Sequence, residues 1–273
     1  MPTSLDHLAA ATPLFEHAVR TLRALNAGTD AIAVTLPAGV PHLDAARARL
    51  NSGIPALQGE PLLDGATLVA NMLTIATSLD RAGELGGTAS FARALASSRD
   101  WLCRDEWAVA ALSGTWEPFG TVAGRVDIDE HALVTIADFA VRPALRAGAQ
   151  VAREALFEAA WERGTCPGCG AAPVLAELRG PTRERTLRCA RCASGWRFPR
   201  LACQACGERA HDVLRSLSAA GEGDYRRVDC CDRCGGYLKT VATLEPLGMA
   251  ALLEEDLATA GLDLIAVERG YHR

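Results

Sequence analysis

Four Cys-x-x-Cys pairs stand in line over residues 166–234: Cys166/Cys169, Cys189/Cys192, Cys203/Cys206 and Cys231/Cys234. No other feature restricts the fold of this chain as strongly. A Cys-x-x-Cys turn sets two thiolates on one side of a tight loop, where backbone N–H groups can reach the sulfurs. Two such turns complete a tetrahedral four-thiolate site for zinc or iron. A glycine after the second cysteine permits the left-handed backbone such a knuckle often takes. It is present as Gly170, Gly207 and Gly235, whereas the second knuckle has Ala193 and is expected to turn less regularly.

Sequential pairing predicts a first site of Cys166, Cys169, Cys189 and Cys192, with 19 residues between its knuckles. The second is Cys203, Cys206, Cys231 and Cys234, with 24 between. Either interval holds a hairpin. An interleaved pairing is the less natural alternative, because only ten residues separate the middle knuckles. A set of redox dithiols is the other competing reading, but it calls for a βαβ context, and the pattern here is of short strands. These are predicted at 173–178, 183–189, 196–202, 213–217, 225–230 and 237–241, giving knuckle, hairpin, knuckle, twice over. Each half has only about 40 residues and cannot stabilise itself by burial alone. Metal binding, which contributes about 10–16 kcal/mol in small zinc fingers, is therefore expected to be part of folding. With all four positions taken by thiolates, no open position is left for a substrate water. The sites thus read as structural and the protein as no enzyme.

Cys230 stands directly before the last knuckle. Strand alternation points it the same way as Val228, so it reads as a small packed hydrophobe, with a spare, exchangeable thiol as the sharper alternative. Cys103 reads as a buried apolar residue. From Gly164 to Thr240 there are 13 Lys+Arg and 8 Asp+Glu, while the rest of the chain is acidic. The basic excess suggests nucleic acid, but two zinc tetrathiolates would lower it to about +1, and aromatic residues are not interleaved for base stacking. Arg188, Arg191 and Arg197 are expected to offset thiolate charge, and Trp196 to cover a metal site. No nucleic-acid partner is expected. His211 reads as a surface residue. The other histidines have no metal-ligand spacing, and no nucleophile elbow, phosphate loop or dinucleotide fingerprint occurs.

Before residue 164 the sequence reads as helices. Apolar stripes run through Leu14, Ala18, Leu22 and Leu25, through Leu68, Met72, Ile75, Ala76 and Leu79, and through Phe91, Leu95 and Leu102. Leu133, Ile136, Phe139 and Ala140 open a fourth helix that Pro143 should end or kink. Leu145, Ala149, Ala152, Leu156 and Ala159 make a fifth. After Pro246, Leu253, Leu257 and Leu264 share one face of a closing helix whose acidic side is expected to be solvated. The fold class is α+β, with a helical domain at 1–163, tandem four-cysteine ribbons at 164–242, and a C-terminal helix at 243–273 packing back on the fold. No basic, apolar leader opens the sequence and no apolar run is long enough to span a bilayer. A cytoplasmic protein without membrane insertion is expected, in which ten cysteines stay reduced.

"CPGCGAAPV", "CARCASGWRFPRLACQACG", "CDRCGGYLKTV" and "DLATAGLDLIAVERGY" occur in that order. Together they resemble the formate dehydrogenase accessory protein (FdhE) family over about residues 164 to 273. A zinc ribbon alone would not supply Tyr237-Leu238-Lys239 or the final helix. Cys230 departs from the family pattern, which needs one cysteine pair there. The resemblance implies rubredoxin-like modules, with the eight knuckle cysteines as ligands of two mononuclear sites. It favours iron, although the spacing itself does not choose between iron and zinc. It implies an assembly factor that binds the catalytic subunit of formate dehydrogenase during maturation. Two other readings stand beside it: rubredoxin-like electron transfer during maturation, and a zinc-ribbon nucleic-acid binder. A homo-oligomer is compatible with the sequence.

Overall fold

The computed structural model describes residues 13–84, 93–94, 97, 104–126, 129–219 and 225–273. The stripe of Phe91, Leu95 and Leu102, and Cys103, lie outside the described residues. The helical part contains α1 (Pro13–Asp30), α2 (Leu43–Asn51), α3 (Gly65–Arg81), α4 (Asp105–Ser113), α5 (Glu117–Val126), α6 (Glu130–Val151) and α7 (Arg153–Glu158). The stripe predicted from Leu68 to Leu79 becomes the buried face of α3. Asp64 caps this helix by accepting the Thr67 N–H at 2.7 Å, satisfying a donor that the first turn leaves unpaired. α3 packs between α1 and α6.

Of the end or kink expected at Pro143, the end does not occur: α6, 22 residues long, runs through it. Proline removes one ladder N–H and crowds the preceding turn. In that turn Asn71 of α3, itself buried, donates to the Ala140 carbonyl at 3.0 Å. The carbonyl that loses its ladder donor is that of Phe139, so this bond braces the turn from a neighbouring helix without replacing the missing one. Buried residues on both sides of Pro143, from Leu133 to Ala149, hold the two halves against one core.

The six strands are β1 (Leu175–Arg179), β2 (Glu184–Arg188), β3 (Gly195–Arg197), β4 (Leu214–Leu217), β5 (Arg226–Cys231) and β6 (Tyr237–Thr243). They lie close to the predicted strands, except that the third keeps only three residues. The two ribbons form one sheet, ordered β3-β2-β1-β6-β5-β4. Neighbours are antiparallel within each ribbon, and the ribbons join by parallel pairing of β1 with β6, from Ala176 opposite Thr240 to Arg179 opposite Thr243. The repeats are therefore laid side by side in the same sense.

Alternation along the strands gives the sheet two differently covered faces. Ala176, Leu187, Trp196 and Leu238 belong to the same apolar core as the helices. The opposite face carries Leu175 and Val241 against Leu252, and Val228, Cys230 and Tyr237 against Leu262 and Ala266. Those covering residues come from α8 (Met249–Ala258) and α9 (Ala260–Glu268). The single closing helix expected from the sequence is thus two, meeting at Thr259. The Thr259 hydroxyl takes the Glu255 carbonyl at 2.7 Å, and the buried Lys239 ammonium takes the Asp256 carbonyl at 2.5 Å. The Glu255 carbonyl also keeps its ladder bond from the Thr259 N–H at 3.0 Å, whereas the ammonium binds a carbonyl of the last turn of the preceding helix. Rotation at this joint leaves Leu264 63% exposed and buries Leu262 instead.

The acidic side of this segment does not face solvent as expected. Glu255 binds Arg226 at 2.7 and 2.9 Å, and Asp256 and Asp263 each lie 2.7 Å from Lys239 Nζ. Among the described residues, no helix is long and apolar enough to cross a membrane.

Candidate metal centres

All four knuckles are built on one backbone scheme. The N–H of each leading cysteine donates to the carbonyl five residues on: Cys166 to Ala171, Cys189 to Ser194, Cys203 to Glu208 and Cys231 to Gly236, at 2.8–2.9 Å. Gly170, Gly207 and Gly235 turn with φ of 82°, 76° and 72°. Ala193 takes the same left-handed turn at φ 65°, so the irregularity expected at the second knuckle is absent. Closure of the knuckle outweighs the roughly 1–2 kcal/mol that a side chain costs there.

The turns bring the eight cysteines together as two groups in sequential order, Cys166/Cys169/Cys189/Cys192 and Cys203/Cys206/Cys231/Cys234. Within the first, Sγ atoms of Cys166 and Cys192 are 3.4 Å apart and those of Cys169 and Cys189 3.5 Å. In the second, Cys203–Cys234 and Cys206–Cys231 are 3.7 and 3.8 Å apart. A disulfide would bring two sulfurs to about 2.05 Å. Four thiolates about 2.3 Å from a central ion would stand about 3.8 Å from one another. Donor type, number and spacing therefore suit a four-coordinate, thiophilic ion, and either group could hold one. The backbone assists: Gly168 N–H lies 3.3 Å from Cys166 Sγ, and Gly236 N–H 3.3 Å from Cys234 Sγ. Gly168 has no room for a side chain, since a Cβ there would stand 3.0 Å from Cys192 Sγ.

Sulfurs this close cannot all ionise in a low-dielectric site. Burial pushes the Cys166 thiol well above its ordinary range, while hydrogen bonds from Cys166, Cys169 and Cys189 hold Cys192 well below it. A central cation removes this conflict by stabilising every thiolate together.

The two groups occupy unlike surroundings. Cys166, Cys189 and Cys192 are buried in the core shared with the helices. The first knuckle is clasped by the loop after α2, whose Ala56 and Leu57 N–H groups donate to the carbonyls of Pro167 and Gly168 at 2.8 and 2.9 Å. Trp196, buried in this core, donates to the Arg163 carbonyl at 3.0 Å. In the second group Cys203 and Cys231 are buried but Cys206 is exposed. The last knuckle is held by the C-terminal tail, where His272 N–H donates to the Gly235 carbonyl at 2.8 Å and Tyr237 N–H to the His272 carbonyl at 3.0 Å. His211 is exposed, as expected.

Equivalent arginines mark the difference. Arg191 and Arg233 each precede the second cysteine of a knuckle. Arg191 reaches into the helices, binding Asp138 of α6 at 2.6 Å and the last carbonyls of α4, Ala111 and Leu112, at 2.5 and 3.3 Å. Arg233 stays within its ribbon and binds Glu208 at 2.6 Å. Arg188 binds Glu177 at 2.6 Å, and Arg197 pairs with Glu184. The three arginines expected to offset thiolate charge are thus in contact with carboxylates. Sequence reasoning missed Asp138, because an acidic residue on a helix carries no sign of a partner 53 positions away.

Cys230 is 2% exposed, opposite Tyr237 in the sheet and packed on the C-terminal helices. It points to the face opposite Cys231, away from the sulfur cluster, as strand alternation requires. Burial, followed by Asp229 and Asp232, pushes its thiol up to about 12, leaving it protonated at neutral pH.

No family model matches the chain. A curated FdhE homologue from Stutzerimonas stutzeri (strain A1501) is 37% identical over 112 residues, 40% of this chain and 35% of that protein. One from Aquifex aeolicus (strain VF5) is 32% identical over 114 residues, 41% of this chain and 40% of that protein. The crystal structure of the FdhE protein from Pseudomonas aeruginosa superposes over 99% of this chain and 90% of that one, with 26% identity and a TM-score of 0.63. The chain is thus similar to FdhE proteins in sequence over about 40% of its length and in fold over nearly all of it. The sequence matches cover well under half of the curated FdhE homologues, whereas the structural correspondence with the Pseudomonas FdhE protein extends through the helical part as well.

Proposed function

We propose that this chain is a non-catalytic accessory factor for formate dehydrogenase, acting in the cytoplasm, that binds the enzyme's catalytic subunit during maturation. In this reading the eight knuckle cysteines hold two mononuclear metal ions, iron or zinc. The metals stabilise a binding surface made from the helical domain (1–163), the ribbons (164–242) and the C-terminal segment (243–273). The observation that carries it is the pair of four-sulfur clusters set in a fold that corresponds to an FdhE crystal structure along nearly the whole chain. Four thiolates per ion leave no coordination position for a substrate, which supports holding over turnover.

The test is affinity purification of the tagged protein from cells producing formate dehydrogenase, followed by mass spectrometry. Enrichment of the catalytic subunit, lost with Cys231→Ala/Cys234→Ala, is expected. Absence of the dehydrogenase from the wild-type eluate would overturn the reading.

One observation favours a second reading, electron transfer to a maturing partner. Cys206 brings a sulfur of the second cluster to the surface, where a partner's acceptor could approach. This version requires iron at that site, with a ferric–thiolate colour that bleaches on reduction. A protein isolated with zinc alone would remove it.

A further inference from the structure

Between the third strand and the third knuckle the chain crosses the sheet face that carries Arg185, and Arg185 pins the crossing. Its Nη1 donates to the carbonyls of Pro199 at 3.2 Å and Ala202 at 2.7 Å. Under the crossing lies a cleft of about 240 Å³, lined among others by Arg185, Arg200, Arg215 and Arg227. A water occupies about 30 Å³ in the liquid, so the cleft has room for a group of several heavy atoms.

Arg185 is 3% exposed, yet its Nε and Nη2 have no hydrogen-bond partner among the described residues. These two donors form one edge of the guanidinium plane, the edge that offers two parallel bonds to a carboxylate or phosphate. Leaving them unpaired in a buried cation is costly. The nearby carboxylates are already engaged: Asp229 binds Arg227 at 2.9 Å, and Asp232 binds Arg215 at 2.8 Å. Arg200, exposed, has no hydrogen bond or ion pair among the described residues. Cys203 and Cys231 also line the cleft. A loaded metal centre would contribute negative charge there, but neither sulfur accepts a hydrogen bond from the open edge.

We propose that this cleft is a binding site for a small oxyanion, a carboxylate or phosphate group, gripped by the open edge of Arg185 and assisted by Arg200. The site goes beyond the accessory-factor reading and does not depend on it. The competing role for Arg185, a pin for the crossing and a counter-charge to the thiolates, requires its charge and its Nη1 bonds but not its second edge.

The test uses the metal-loaded full chain, with phosphate and acetate as separate probes at constant ionic strength set by chloride. Calorimetric titration of the wild type is expected to show saturable, one-site binding of at least one probe. Phosphate alone would define a phosphate site, and acetate binding a carboxylate site. Arg200→Ala should weaken binding about tenfold. Arg185→Lys, which keeps the charge and loses the fork, should abolish it with metal content unchanged. Should Arg185→Lys fail to fold, Arg200→Ala and Arg200→Glu decide, the latter expected to prevent binding. Absence of saturable binding by both probes, or binding equal to wild type in every folded variant, would overturn the proposal.

Discussion

Arg191 of the second knuckle binds Asp138 of α6 at 2.6 Å, one of the contacts that tie the first sulfur cluster to the helical core. The Arg191 side chain is 11% exposed and also bonds two carbonyls at the end of α4. Asp138 in turn accepts from Arg142 at 2.6 Å on its other oxygen. Metal knuckle and helices are thereby made parts of one cooperative unit.

Removing one member of a buried ion pair leaves the other charge stranded, at about 3–5 kcal/mol. Asp138→Asn, which leaves the buried Arg142 and Arg191 without a counter-charge, is expected to destabilise the chain by about that amount, and Arg191→Ala by less because Asp138 keeps Arg142. Arg233→Ala, at the equivalent but exposed position, should have far less effect, because solvent screens the pair. Denaturant titrations of the three variants check this. Equal losses at Arg191 and Arg233 would show that the docking contact carries no special weight.

The two metal centres are expected to exchange at different rates. Cys206 is exposed, whereas three cysteines of the first group are buried. A chelator should remove the second ion first, giving a state with one ion per chain that keeps the helical signal. Cys206→Ser should yield folded protein with one ion, and Cys189→Ser should lose the fold of the ribbon and its helical support. Elemental analysis over the time course, with circular dichroism, reads both. Simultaneous loss of both ions would contradict the inequality.

Lys239 anchors the C-terminal helices to the sheet. Its ammonium is fully buried and reaches Asp256 and Asp263, each at 2.7 Å. Lys239→Met would leave two carboxylates facing the sheet with Arg273 as their nearest remaining cation, 2.7 Å from Asp256. A loss of about 3 kcal/mol is expected, with faster hydrogen exchange concentrated in α8 and α9. Exchange unchanged in those helices would show that the apolar contacts alone hold them.

Ala193 is a side chain in a glycine position. Ala193→Gly should stabilise the metal-loaded protein by about 1 kcal/mol, since it relieves the left-handed strain. A melting curve unchanged or lowered by the substitution would mean that Ala193 makes compensating contacts.

Cys230 should behave as packing. Cys230→Ala is expected to keep both ions and to cost about 1 kcal/mol for the lost volume, and in the native wild type this thiol should resist alkylation. A lower metal content in the variant would restore the idea of a spare ligand.

The sequence by itself determined the chemistry: which cysteines turn together, how many clusters form, that Cys230 faces away from its neighbour, and where most strands and helices lie. These are local matters, decided by spacing, glycine placement and strand alternation over short stretches. What lay beyond it was decided by contacts between distant segments. The parallel join of β1 with β6 pairs residues 64 positions apart, Glu177 with Val241 among them, and no local pattern announces such pairing. Helix α6 passes Pro143 with buried residues on both sides of it held against the other helices, Asn71 of one of them donating to the Ala140 carbonyl. The closing helix breaks at Thr259, where Lys239 of the sheet takes the Asp256 carbonyl. The repeats are alike in sequence, yet one cluster is buried and the other reaches the surface, because among the described residues it is the cysteines of the first knuckle pair that join the helical core. Burial and charge pairing depend on which surfaces meet, and a chain with two equivalent ribbons does not specify in either repeat alone which of them the helices will cover.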